Sequence, residues 1–143
     1  MYTKIVVGTD GSETASEAVR QAGELARTHG AELVVIHGAK TSASGVSGGG
    51  LYVAPVDPEA VRTAADEIPQ QAQSALGSDA KVRTVFREDD PAEAILDVAE
   101  EENADLIVVG NRGMRGAKRF LLGSVPNRVA HHAPCSVLIV HTT

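Results

Sequence analysis

The chain has 143 residues, 43% apolar and 22% charged, with 13 Lys plus Arg against 19 Asp plus Glu and a formal charge of −6. That length suits one domain, spanning 1–143, with one core, and the composition excludes wholesale disorder. An acidic chain with no Trp, two Tyr and two Phe excludes the basic, aromatic surface that grips nucleic acid.

The first apolar run, 4–9 (KIVVGT), reads as a strand, and no signal-like apolar region precedes it. From Ser12 the residues Ala15, Ala18, Val19, Ala22, Leu25 and Ala26 recur at helical spacing until Gly30. Ser12 suits the N-cap, with Glu13 and Glu17 near the positive end of the dipole. A second dense run, 32–38 (ELVVIHG), is a strand buried on both faces. The stretch 41–50 (TSASGVSGGG) is the one low-complexity segment. It reads as a surface insertion or as a lid over the strand end that precedes it.

Residues 58–76 repeat Val61, Ala64, Ala65, Ile68, Ala72 and Leu76 at helical spacing, and Pro69 inside them predicts a kink or break. The run 81–86 (KVRTVF) alternates, with Val82, Thr84 and Phe86 opposite Arg83, Val85 and Arg87, as an edge strand with one wetter face would. A helix over 91–102, capped by Asp90, turns Ile95, Val98 and Ala99 inward. Strand 105–110 (DLIVVG), a helix from Ser124 that stops before Pro134, and strand 136–141 (SVLIVH) complete the chain. No apolar run approaches the ~18 residues that a membrane span needs. Five β-runs alternating with four helices give an α/β doubly wound open sheet with helices on both faces. Cys135 is the only cysteine, so no internal disulfide forms, and a reducing, cytoplasmic setting fits.

Ligands of such sheets bind beyond the carboxyl ends of the strands. Those ends here are 8–12 (GTDGS), Gly38 and the segment from Gly110. The segment 110–124 (GNRGMRGAKRFLLGS) carries the strongest signal. Glycines 110, 113, 116 and 123 let backbone amides approach an anion, and a helix starting at Ser124 adds orphan amides and partial positive charge. Arg112, Arg115, Lys118 and Arg119 crowd into the same stretch of a net-acidic protein, which points to phosphate. The alternative is a loop rich in glycine for turn geometry, with its cations solvated. Neither GxxxxGK[ST] nor GxGxxG after the first strand is present.

The spacing G-x2-G-x9-G-[ST], carried by Gly110, Gly113, Gly123 and Ser124, resembles the ATP-binding signature of the universal stress protein family. The opening KIVVGTDGSETASEAV and the later DLIVVGNRG and LLGSVPNRVAHHAPCSVLIVH resemble the same family. The resemblance spans essentially the whole chain and implies a five-stranded parallel sheet of order 3-2-1-4-5. It further implies that Asp10, beside Gly8 and Thr9, lies near the ribose, the phosphates or their metal, Mg²⁺ or Mn²⁺. Gly38 would line the adenine pocket. Val109, Gly110 and Gly113 would approach the ribose and phosphates, with Arg112 between them. Gly123, Ser124 and Val125 would hold the phosphate tail. Two departures stand out. Gly38 replaces a branched apolar residue of many relatives and implies looser adenine packing. Asp89 replaces a glycine at a turn remote from the ligand.

For Asp10 the competing reading is a capping role alone. His37, in a buried strand, reads as a hydrogen-bonded core residue. His131 and His132 suit the negative end of the last helix, and Cys135 reads as a packed small side chain. The function expected is that of an ATP-binding stress-response or regulatory protein with at most slow hydrolysis, since phosphoryl transfer needs a base that only Asp10 could offer. Cyclic AMP in the same pocket and genuine ATPase activity are the alternatives. An apolar strand ending the sheet predicts a homodimer through Val137 to His141, with His141 at the contact. No membrane or nucleic-acid partner is expected.

Overall fold

The computed structural model describes residues 1–11, 13–40, 58–77, 80–111 and 122–142. In chain order they form β1 (Lys4–Gly8), α1 (Glu13–His29), β2 (Glu32–Gly38), α2 (Pro58–Leu76), β3 (Val82–Arg87), α3 (Pro91–Glu101), β4 (Leu106–Gly110), α4 (Ser124–His132) and β5 (Ser136–Val140). The strands pair in parallel in the order β3-β2-β1-β4-β5. The chain therefore starts at the centre of the sheet, winds out to β3, and returns past β1 to β4 and β5.

Alternation along the strands sends successive side chains to opposite faces. Ile5, Val7, Leu33, Val35 and Val108 pack with Ala18 and Ala22 of α1 and Ile68, Ala72 and Leu76 of α2. Val6, Val34, Ile36 and Ile107 pack with Ile95 and Val98 of α3 and Val129 of α4. Burial on both faces is why the central strands read as unbroken Val/Ile runs. Among the described residues, no helix is long and apolar enough to cross a membrane.

Two local expectations are corrected. First, of the kink or break expected at Pro69, the break does not occur: α2 continues through it. A proline inside a helix costs about 3 kcal/mol. Here Ile68, Ala72 and Leu76 are buried around it, and full burial of one such aliphatic side chain contributes about 1.5–3 kcal/mol, enough to hold the helix together. Second, β3 is an edge strand but does not divide into a dry and a wet face. Val82 packs with the α1/α2 layer and Val85 with the α3/α4 layer, while Arg83 and Phe86, on opposite sides, are exposed. Each layer reaches only part of the strand. The cap of α3 forms as expected: the Asp90 carboxylate accepts from the Glu93 amide at 3.3 Å, with Pro91 at the first helical position.

Candidate functional site

β1 lies between β2, its successor, and β4, which follows only after the excursion to β3, so the strand order reverses there and leaves a crevice at the carboxyl ends. A cleft of about 100 Å³ opens at that point. Gly8, Thr9 and Asp10 wall it from the end of β1, and Gly38 from the end of β2. Val109 and Gly110 wall it from β4, and Val125 from α4. Strand ends far apart in sequence thus converge on one space.

The turn after β1 is built by Thr9. Its amide donates to the Ile36 carbonyl at 2.9 Å, extending the β1–β2 ladder, and its hydroxyl oxygen accepts from the Gly11 amide at 3.1 Å. Gly11 sits at φ +81°, a left-handed conformation that side chains resist, which lets the chain turn sharply just past Asp10. His37 supports the turn from β2. Its Nδ1–H donates to the Thr9 carbonyl at 3.1 Å, and its ring lies 5.5 Å from that of Phe86. It is 6% exposed, a hydrogen-bonded core residue as the sequence suggests.

Gly38 is closely backed by α3. A Cβ there would lie 2.8 Å from the Ala94 Cβ and 3.0 Å from the Pro91 Cα. A branched side chain at this position would run into the first turn of α3. Asp89 is not remote: its carbonyl oxygen lies 3.5 Å from that same Cβ position, and its carboxylate accepts from the Asp90 amide at 2.7 Å. The β3–α3 turn is therefore part of the wall behind Gly38. Gly8 is equally confined, since a Cβ would collide with the Ile95 side chain.

At the α4 side, Gly123 is the N-cap and supplies no side-chain acceptor. Its amide donates to the Asn111 carbonyl at 3.0 Å, and its carbonyl accepts from Asn127 at 3.1 Å. Pro126 has no N–H, so the first-turn amides left to point outward are those of Ser124 and Val125. No acidic side chain occupies that turn, and the helix dipole gives it partial positive charge. Arg128 ties α4 to the start of α3, 2.6 Å from the Glu93 carboxylate and 3.6 Å from that of Asp90.

Arg112 and Gly113 lie outside the described residues, as do Arg115, Gly116, Lys118, Arg119, Ser12 and the stretch 41–50. Ala15, Ile36, Pro91, Ile95 and Pro126 also line the cleft and were not among the expected site residues. Ile95 carried a signal, its inward position on α3. Pro91 reaches the cleft only because Gly38 admits α3, which no local pattern encodes. Among the described residues, no three His, Cys, Asp or Glu side chains group as a metal site. The His131 and His132 rings lie 6.4 Å apart in the last turn of α4. Burial pushes the Cys135 thiol above its ordinary value, with the Asp105 charge adding to the effect, which favours the protonated form.

A larger cleft, about 380 Å³, lies at the opposite end of the sheet between the ends of α1 and α2. Arg27 and Lys81 are the charged groups on its walls, which are otherwise apolar side chains and backbone. It lacks the convergence of strand ends and helix amides found at the first.

The model of the Universal stress protein family matches residues 1–141. A universal stress protein of Methanocaldococcus jannaschii is 35% identical over 143 residues, covering 98% of this chain and 82% of that one. A crystal structure of a universal stress protein in complex with cAMP is 35% identical, with a TM-score of 0.67 over 99% of this chain and 98% of the other. The universal stress protein from Archaeoglobus fulgidus in complex with dAMP is 27% identical, with a TM-score of 0.67 over 96% of this chain and 97% of that one.

Proposed function

Because this chain belongs to the universal stress protein family, we propose that its cleft is an adenine-nucleotide site and that the protein is an ATP-binding regulatory module. The observation that carries the proposal is the convergence at the strand-order reversal. The ends of β1, β2 and β4 wall one cleft, with the acid-free first turn of α4 on its rim. Backbone amides facing outward at a helix start favour phosphate. The apolar wall of Ile36, Pro91 and Ile95 suits a base. Similarity to proteins crystallised with cAMP and with dAMP supports an adenylate as ligand.

In this reading Ser124 and Val125 hold the phosphate tail with Gly113 and Gly123, and Arg112 adds positive charge. Gly38 backs the base. Asp10 is the one carboxylate among the described residues on the cleft wall and is the candidate to meet a metal. A lone carboxylate fits Mg²⁺ or Mn²⁺ only where phosphate oxygens supply further ligands, so the ion would arrive with the nucleotide. It would offset repulsion between Asp10 and the phosphates. Among the described residues that line the cleft, Asp10 is the one acid–base group, so the reading is one of binding and charge stabilisation. We further propose that 1–143 acts as one domain, in the cytoplasm, as a homodimer. β5 is a sheet edge, and Val137, Leu138 and Ile139 are only half-buried. Antiparallel pairing of Val137 to His141 with a second copy would cover them.

Isothermal titration with ATP, ADP, AMP and cyclic AMP tests the reading. Saturable ATP binding that weakens as phosphates are removed supports it. Preference for cyclic AMP would select the single-phosphate reading, and sustained turnover abolished by Asp10→Asn would make the protein an ATPase. No binding of any of the four would end the proposal.

A further inference from the structure

Asn111 follows the last residue of β4, and its amide, its carbonyl and its side-chain oxygen each tie a different part of the chain. Its amide donates to the Val140 carbonyl at 2.8 Å, carrying the β4–β5 ladder one residue past the Gly110–Val140 pair. Its carbonyl accepts from Gly123 at 3.0 Å, so the chain that leaves at 111 is clasped where it returns to start α4. Its side-chain Oδ1 accepts twice from one residue beyond β5: from the Thr142 amide at 2.9 Å and the Thr142 hydroxyl at 3.0 Å. Both residues are half-buried. Asn111 does not line the cleft, but Gly110 before it does, and Gly123 across the clasp precedes Ser124 and Val125.

We infer that Asn111 is a positioning residue for phosphate binding: its side-chain hold on Thr142 fixes the clasp that sets the first turn of α4 against the end of β4. The physical reason lies in the geometry of the junction. The Asn111–Gly123 bond alone could swing about the Asn111 backbone, because a single hydrogen bond leaves rotation free. The two bonds from Thr142 fix the Asn111 side chain on the far side, and the ladder bond to Val140 fixes its amide. With all three directions set, the distance from the Gly110 amide to those of Ser124 and Val125 is held before any ligand arrives. Preorganised donors bind an anion without an ordering cost. A side chain that only filled space at the sheet's end would have no such directional role.

The inference rests on the nucleotide reading and deepens it, and the experiment separates the two. ATP and adenosine are titrated into the intact protein and its variants. Adenosine reports the base and ribose pocket, and ATP adds the phosphates. Asn111→Leu, similar in shape but without the acceptor, is expected to lose about tenfold in ATP affinity, the scale of one to two hydrogen bonds, and to keep its adenosine affinity. Thr142→Val, which removes only the hydroxyl, is expected to lose severalfold in ATP affinity, and Thr142→Ser to restore it. Thr142 lies past the last strand, so Thr142→Val carries the test even if Asn111→Leu fails to fold. Unchanged ATP affinity in a folded Asn111→Leu or in Thr142→Val would overturn the inference while leaving the nucleotide site standing, as would equal losses for ATP and adenosine. A wild-type chain that binds neither ligand would remove the nucleotide reading, and the inference with it.

Discussion

The two ends of the same sheet are built on opposite principles. At the amino ends of the strands, side chains meet side chains. Lys4 lies 3.0 Å from Glu102 and 3.7 Å from Glu32, and Arg83 reaches the same two carboxylates at 2.6 and 3.2 Å. Asp105 accepts from the Thr3 and Lys4 amides and the Thr3 hydroxyl, at 2.8 to 3.1 Å. At the carboxyl ends, glycines replace side chains at Gly8, Gly38, Gly110 and Gly123, and the first turn of α4 faces outward. One end is closed by complementary charge and the other keeps backbone groups available. A parallel sheet has this asymmetry available because all its strands point one way. Stability can be concentrated where the strands begin and recognition where they end.

If the carboxyl end depends on backbone access, the largest effects on binding come from adding side chains there. Gly123→Val and Gly113→Val are expected to abolish ATP binding while the far-UV circular dichroism spectrum stays that of the wild type. Retained affinity in either folded variant would move the site. Gly38→Val is expected to differ in kind. The Ala94 and Pro91 contacts leave no room for it, so it should cost about 1–3 kcal/mol of stability by overpacking as well as weaken binding. Chemical denaturation read beside titration separates the two classes of glycine.

The next effect concerns the lateral edge of the sheet rather than its two ends. With β5 at the border and half-buried, Ile139→Lys is expected to convert a dimer to a monomer in light scattering at micromolar concentration. A charge on an edge strand opposes strand pairing with another copy. A wild-type protein that is already monomeric under those conditions would refute the dimer.

At the amino end the expected effect is on stability and its pH dependence, with binding unchanged. Burial alone would raise the Asp105 carboxyl, but the Thr3 and Lys4 amides and the Thr3 hydroxyl hold it below its ordinary value. Arg83 and then Lys4, by hydrogen bonding, lower that of Glu102. Groups with depressed folded-state values contribute fully above the ordinary carboxylate range. Their contribution is lost as pH falls through that range and through the lowered values. Asp105→Ala should therefore destabilise the protein at neutral pH by about 2 kcal/mol, since two backbone donors at the entry to β1 lose their acceptor. The difference from wild type should narrow in acid. An equal gap at pH 7 and pH 2.5 in urea denaturation would contradict the assignment.

The sequence displayed this asymmetry unevenly. Element order and type were legible because burial on both faces writes dense Val/Ile runs and amphipathic helices write a regular repeat. The cleft was legible at Gly8 to Asp10 and at Gly110 because glycines and small polar residues at strand ends mark turns, and at Val109 only through the family resemblance. The group of Lys4, Glu32, Arg83 and Glu102 was not legible. Its members are up to 98 residues apart in sequence, and strand order alone brings them together. The role of Gly38 was hidden for the same reason: Pro91 and Ala94, which its missing side chain admits, belong to a helix that follows a further strand. Pro69 shows the converse, a strong local signal overruled by core contacts on either side of it.

The smallest effect is the most informative about what makes the amino end different. On α1, Arg20 lies 2.7 Å from Glu17 and 2.6 Å from Glu24, and hydrogen bonds from Arg20 and then Gln21 lower the Glu17 carboxyl to about 2. Those distances match the shortest in the Lys4–Arg83 group. Arg20 and Arg83 are also almost equally exposed, at 49% and 45%, yet the partners of Arg20 are one helical turn apart, and the chain holds them near one another whether or not the sheet has formed. Local pairs of this kind contribute little to folding, because the unfolded chain forms them too and the long side chains lose freedom. Arg20→Ala should leave the urea midpoint within error of wild type. Arg83→Ala should lower it measurably, and the loss should shrink in 1 M salt, where screening acts over about 3 Å. Equal shifts for the two variants would mean that distance alone sets the value of an ion pair here. The amino end would then hold no advantage from joining strands that are remote in the chain.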